Sequence, residues 1–192
     1  MQSQELVKSH WKTGRSRKWL LLALILTTLL SIFVFVSTAS ADGTSRRITA
    51  VNYIDGSAVC NDAITNSAGE APAFSSDFVG DLDGCLYIFP ESFSCSANGV
   101  YVEDGMEIYV GSGAPGDDGT FETTYRFVAH FDSEEECNTF SNQIRGRCLH
   151  PIVANTGTGD YEGVTGMFQM TDNVEEGTAD LVGLLHFFDN TR

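Results

Sequence analysis

Residues Asn155 to Met170 read NTGTGDYEGVTGMFQM, a turn followed by a strand. Gly157 and Gly159 flank Thr158 where a tight reversal needs positive φ, and Gly163 and Gly166 interrupt a run that includes Tyr161, Val164, Met167 and Phe168. Glycine inside a strand marks a bulge or a bend. A flat sheet has little use for two bends in one strand, whereas a sheet curling into a barrel needs them at its corners. The stretch therefore predicts an all-β fold, a small antiparallel closed β-barrel.

The segments on either side agree. Phe121 to Phe131 alternates Phe121, Thr123, Tyr125, Phe127, Ala129 and Phe131 with Glu122, Thr124, Arg126, Val128 and His130, the period-two signature of a strand with one apolar face. Ala179 to Phe188 is apolar on both faces through Leu181, Val182, Leu184, Leu185, Phe187 and Phe188, which predicts burial on both. Further strands are expected at Arg47 to Ile54, Ala73 to Leu82, Cys85 to Phe89 with Pro90 as its stop, and Arg145 to Val153. Val100 to Val102 and Met106 to Val110, separated by Glu103-Asp104-Gly105, read as one kinked strand or two short ones. Ser133 followed by Glu136 is a capping-box spacing for one short helix to about Asn142. About eight strands result, the number that gives a barrel just wide enough to fill with side chains or to hold one small ligand.

The order Gly157-Thr158-Gly159-Asp160-Tyr161-Glu162-Gly163-Val164, with Gly166 and an alternating strand after it, resembles the glycine-rich strand of the allene oxide cyclase family and, less closely, that of plant dirigent proteins. The similarity covers about Pro151 to Phe188. It implies a small β-barrel that holds an apolar substrate in a cyclisable shape without a cofactor, in the cyclases a fatty-acid epoxide. No polar catalytic residue carries over, because the early strands offer no motif that aligns. The long leader and the surplus of cysteines depart from the pattern of either family.

Residues 1–41 differ from the rest. Lys8, Lys12, Arg15, Arg17 and Lys18 precede an apolar run from Leu20 to Val36, and Ala39-Ser40-Ala41 offers a cleavage site. This is the pattern of a cleavable signal peptide, with Asp42 as the mature terminus. The alternative is a membrane anchor through residues 20–36, a run at the lower limit for spanning a bilayer. Both readings export residues 42–192 as one barrel domain, to the periplasm, cell surface or exterior.

Those residues carry six arginines, no lysine and 25 acidic side chains, a net charge of −19. Such a surface repels nucleic acid and anionic lipid, which argues against nucleic-acid partners and a membrane-embedded body. It leaves a monomer and a homo-oligomer both open.

Five cysteines in an exported chain predict two disulfides and one spare thiol. Short loop closure favours Cys137 with Cys148 and Cys85 with Cys95, each pair about ten residues apart, leaving Cys60 over. The spare thiol is expected to be inert and buried.

Chemistry-bearing motifs are few. There is no G-x-S-x-G elbow, phosphate loop or H-E-x-x-H pair. Asp81-x-Asp83-Gly84 opens like a calcium loop but lacks the later ligands, so it reads as a turn. His130, His150 and His186 lie on expected strands without metal-ligand spacing. No cofactor, metal or catalytic residue is assigned, and Glu162 reads as a solvent-facing strand residue. Three function classes follow: a barrel whose lumen, lined by Tyr125, Phe127, Phe131, Leu185 and Phe187, binds or steers a small apolar ligand; a solid barrel acting as an interaction module; and a cofactor-free isomerase or cyclase.

Overall fold

A computed structural model describes residues 43–55, 59–60 and 63–188; the leader, with its signal and anchor readings, lies outside them. Eight strands follow one another around a closed barrel: β1 (Gly43–Tyr53), β2 (Phe74–Gly80), β3 (Gly84–Cys95), β4 (Val100–Gly111), β5 (Thr120–His130), β6 (Arg145–Pro151), β7 (Val164–Asn173) and β8 (Thr178–Phe188). Every strand pairs antiparallel with its neighbour in the chain, and β1 closes the ring on β8 from Gly43 opposite Phe188 to Tyr53 opposite Thr178. One short helix, α1 (Glu134–Thr139), joins β5 to β6. Its start is the expected one, with the Glu136 amide donating to Ser133 Oγ at 3.2 Å.

The glycine-rich stretch turns and bends, but Gly157 does not take the positive φ expected of it; a Cβ there would collide with the Tyr161 carbonyl oxygen. Gly159 begins a single 3₁₀ turn with φ 58°, and Gly163 (73°) and Gly166 (126°) enter and bend β7. Glu162 is exposed, as expected, but in the turn ahead of β7 and not in a strand. Gly105 serves a different purpose on the inner face of β4, where a Cβ would come within 2.7 Å of the Tyr125 ring.

Two expectations are corrected, and of the two readings of Val100 to Val110 the single strand holds. Pro90 does not stop β3: the strand runs on to Cys95, and the lost ladder hydrogen bond falls at a shift of register between Pro90 and Ser92. Glu103-Asp104-Gly105 does not divide β4, which is one strand of twelve residues. The last strand is not buried on both faces. Ala179, Leu181 and Leu185 point inward and are buried, while Val182, Leu184 and Phe188 remain exposed.

The cysteine pairing is a further correction. Cys60 bonds Cys85 and Cys95 bonds Cys137, leaving Cys148 free and buried. Neither expected pair, Cys85 with Cys95 or Cys137 with Cys148, forms. Cys85 and Cys95 lie on the same strand, where ten residues at about 3.3 Å each hold them some 30 Å apart. Cys148 points into the barrel from β6 and packs in its main core, whereas Cys137 belongs to a separate cluster with Tyr101, Ala129 and Phe131. The observed bonds tie loops to the sheet. The first holds the long β1–β2 connection against the outside of β3, where Cys60, Tyr87 and Phe89 form a small second core with Ile64, Met106 and Ile108. The second holds α1 to the end of β3.

The barrel interior is not uniform along its axis. At the end where β4 finishes and β5 begins, Tyr109, Phe121 and Tyr161 interlock with ring centroids 4.7–5.5 Å apart, and Phe187 tilts against Tyr161. Asp117 accepts hydrogen bonds there from both tyrosine hydroxyls and from Ser112. This end is solid. The other end, beneath α1, is hollow.

Candidate functional site

A cavity of about 390 Å³ occupies the hollow half. This lies at the small end of the roughly 300–1,000 Å³ typical of small-molecule sites. Its deep wall is formed by residues that alternate inward along the strands: Asn52 from β1, Ser76 from β2, Leu86 and Ile88 from β3, Tyr125 and Phe127 from β5, Cys148 and His150 from β6, Met170 from β7 and Ala179 from β8. Ile54, Phe74 and Phe140, each 43–50% exposed, surround its outer end and mark the mouth. Phe140 is placed there by the end of α1, where it caps the helix in a left-handed conformation and packs edge-on against Tyr101 and Phe131.

Strand β4 supplies the polar side of the cavity. Tyr101, Glu103, Gly105 and Glu107 share its inner face, and the absent side chain of Gly105 lets the Tyr125 ring lie across from it. Glu103 receives two phenolic hydrogen bonds, from Tyr101 at 2.5 Å and from Tyr125 at 2.7 Å. Glu107 is buried; its Oε2 accepts from Thr123 Oγ1 at 2.5 Å and faces His150 Nδ1 at 2.7 Å. The His150 ring stacks on Phe168 with centroids 4.5 Å apart and packs more loosely against Tyr125. Nearer the mouth, Gln143 donates to Asp172 at 2.5 Å.

Burial sets the proton affinities of several of these groups. It pushes the Tyr125 phenol far above its usual range, reinforced by its hydrogen bond to Glu103 and by the charges of Glu103 and Glu107, so Tyr125 is a donor at any ordinary pH. Burial likewise raises Tyr101. It raises the Cys148 thiol, with Glu107, Asp172 and Glu103 adding to the effect, so this cysteine is a packed thiol and not a nucleophile. Burial also raises Asp172, opposed by the Gln143 hydrogen bond.

Among the described residues, three buried side-chain atoms have no hydrogen-bond partner: Asn52 Oδ1, Ser76 Oγ and His150 Nε2. All three residues line this cavity. Buried polar atoms are nearly always paired, and these three exceptions are concentrated around one cavity.

Of the five lumen residues expected from the sequence, Tyr125 and Phe127 line the cavity. Phe131 packs with Tyr101 and Cys137 at the mouth end, Leu185 lies in the solid core, and Phe187 packs against that core. The histidines do not meet as a cluster: His150 is buried in the lumen, while His186 is on β8 with Nδ1 2.8 Å from Ser45 Oγ. Among the described residues, Cys60, Asp77 and Cys85 are the one close group of metal-ligating types, and its two sulfurs are bonded to each other. Asp81 is occupied in its turn, accepting from the amide and hydroxyl of Thr49. The sequence reading missed Glu103 and Glu107 as wall residues, although an unbroken period of two through β4 puts both on the face of Tyr101 and Tyr109.

Comparison with known proteins finds no family model and no curated protein that matches the chain.

Proposed function

We propose that this protein binds a small, largely apolar molecule in the cavity of its barrel and fixes the shape that molecule adopts. The observation that carries the reading is the half-hollow interior: an apolar cavity of about 390 Å³ at one end of a barrel whose other end is packed solid. A solid interaction module has no use for such a space, since large side chains fill a barrel this narrow with ease. The two disulfides are compatible with an extracellular setting.

Filling the cavity tests the proposal. Ala179 is buried on the inner face of β8 and lines the wall, so Ala179→Phe places a ring inside it. Wild-type chain is expected to take up the neutral fluorophore N-phenyl-1-naphthylamine with a blue-shifted emission, and Ala179→Phe to lose at least tenfold in affinity with an unchanged circular dichroism spectrum. Equal uptake by both chains would place the probe elsewhere and remove the support.

A second reading is favoured by one specific feature. His150 is oriented through Nδ1 by Glu107, which is held in turn by Thr123, and its Nε2 has no protein partner. An imidazole positioned this way suits proton transfer to or from a bound molecule, as a cofactor-free isomerase or cyclase requires. Turnover that survives His150→Asn undiminished would remove this reading and leave the binding function standing.

A further inference from the structure

The charge and hydrogen-bonding character of the wall narrows the ligand class, an inference that rests on the cavity being a binding site. Three carboxylates, Glu103, Glu107 and Asp172, line it, and among the described residues neither arginine nor lysine does. The donors to those carboxylates include the hydroxyls of Tyr101, Tyr125 and Thr123 and the amide of Gln143, all uncharged. Two groups embedded in the wall register the resulting negative field: Cys148 and Tyr125 both have their proton affinity raised by surrounding carboxylates beyond what burial does. An anion entering this space gives up its water against like charges and finds neither arginine nor lysine in the described wall to pair with, a costly arrangement for a buried ion.

The unpartnered atoms point the same way. Asn52 Oδ1 can only accept a hydrogen bond, and the Nδ2 of the same side chain already lies 3.1 Å from Met170 Sδ. Ser76 Oγ can accept or donate, and His150 Nε2 can accept in the tautomer whose hydrogen is on Nδ1, directed at Glu107. Of the three, Asn52 Oδ1 requires a donor and the other two can each accept from one. We infer that the ligand is an apolar molecule bearing an uncharged or cationic hydrogen-bond donor, a hydroxyl or an amine, and that the carboxylic acid of the same skeleton is rejected. This separates the cavity from the fatty-acid-derived substrate implied by the cyclase resemblance.

Four compounds that differ only at one end make the test: 1-decanol, decylamine, decanoic acid and decyl methyl ether, each used at pH 7.5 to displace N-phenyl-1-naphthylamine from the purified full chain. The alcohol or the amine is expected to bind at least tenfold more tightly than the acid and the ether. Decanoic acid binding as well as the better donor would overturn the inference while leaving a ligand-binding barrel in place. An ether as tight as the better donor would do the same, because it has no hydrogen to donate. No displacement by any of the four, with no uptake of the fluorophore, would remove the binding function and this inference with it. As a second measurement, Glu103→Gln removes a charge while keeping an oxygen acceptor for one of its two phenol partners, Tyr101 or Tyr125, and should raise decanoate affinity at least threefold. Unchanged or weaker decanoate binding in that variant would show that wall charge does not select the ligand.

Discussion

The two ends of this barrel are built from the same eight strands and do opposite things. Around Tyr109, Phe121 and Tyr161 the interior is packed ring against ring, and the polar atoms brought inside are consumed by Asp117 and its partners. Beneath α1 the strands carry Glu103, Gly105, Glu107, Cys148 and Ala179 at inward positions, and the space that large rings would fill stays open. The lesson is that strand number fixes the bore of a barrel but not its contents. A glycine, an alanine and hydrogen-bonded carboxylates on successive inward positions are enough to turn a core into a site.

The difference can be challenged at matched positions. Leu185 belongs to the solid core and Leu86 lines the cavity, and both are essentially fully buried. Truncation removes the same atoms from each. At Leu185 it also leaves a new void among packed neighbours, so Leu185→Ala should cost about 4–5 kcal/mol against about 2–3 kcal/mol for Leu86→Ala, by urea denaturation. Equal costs would mean that the two halves are packed alike.

Next in size come the disulfides. The Cys95–Cys137 bond closes a separation of 42 residues and Cys60–Cys85 one of 25, so loss of either should cost about 2–4 kcal/mol through the freedom returned to the unfolded chain. Their effects on binding should differ. Replacing Cys95 and Cys137 by alanine releases α1 and with it Phe140 at the mouth, weakening uptake of the fluorophore, whereas replacing Cys60 and Cys85 loosens only the outer face of β3. The reverse order of binding losses would break the assignment of the mouth to the α1 end.

The smallest effect concerns pH. Burial holds the Asp172 carboxyl above its ordinary value of 3.8. The native chain therefore keeps this proton to a higher pH than the unfolded chain does, and raising the pH from about 3.8 through the native value withdraws stability. Asp172→Asn should remove that decline, so the stability difference between variant and wild type should grow in the variant's favour from pH 4 to pH 7. A difference that shrinks over the same range would show that Asp172 is stabilised as an anion.

Much of the architecture was legible because a strand's period of two is local. The alternation in Phe121 to Phe131 set which residues of β5 point inward, and the glycines from Gly157 to Gly166 announced the turn and bends of a closing sheet. The places where the local pattern misled have a common cause. Pro90 and the Glu103-Asp104-Gly105 triplet look like strand breakers, yet pairing with β4 carries β3 past the proline through a shift of register, and pairing on both sides carries β4 through the triplet. The open choice at that triplet also hid the wall residues, since only an unbroken strand puts Glu103 and Glu107 on one face.

The sequence by itself determined that residues after the leader form a small, acidic, disulfide-bearing β-barrel with one capped helix, because composition, periodicity and capping act over a few residues. Only the tertiary structure decided which cysteines meet and which half of the barrel is hollow, because both depend on distances between strands that are remote in the chain. It paired Cys60 with Cys85 across 25 residues and brought His150 to Glu107 across 43. It also left Val182 and Leu184 outside, where a reading of hydrophobicity alone buries them. Closure of β8 onto β1 sets which face of each strand looks inward, and nothing within a strand that is apolar on both faces records that choice.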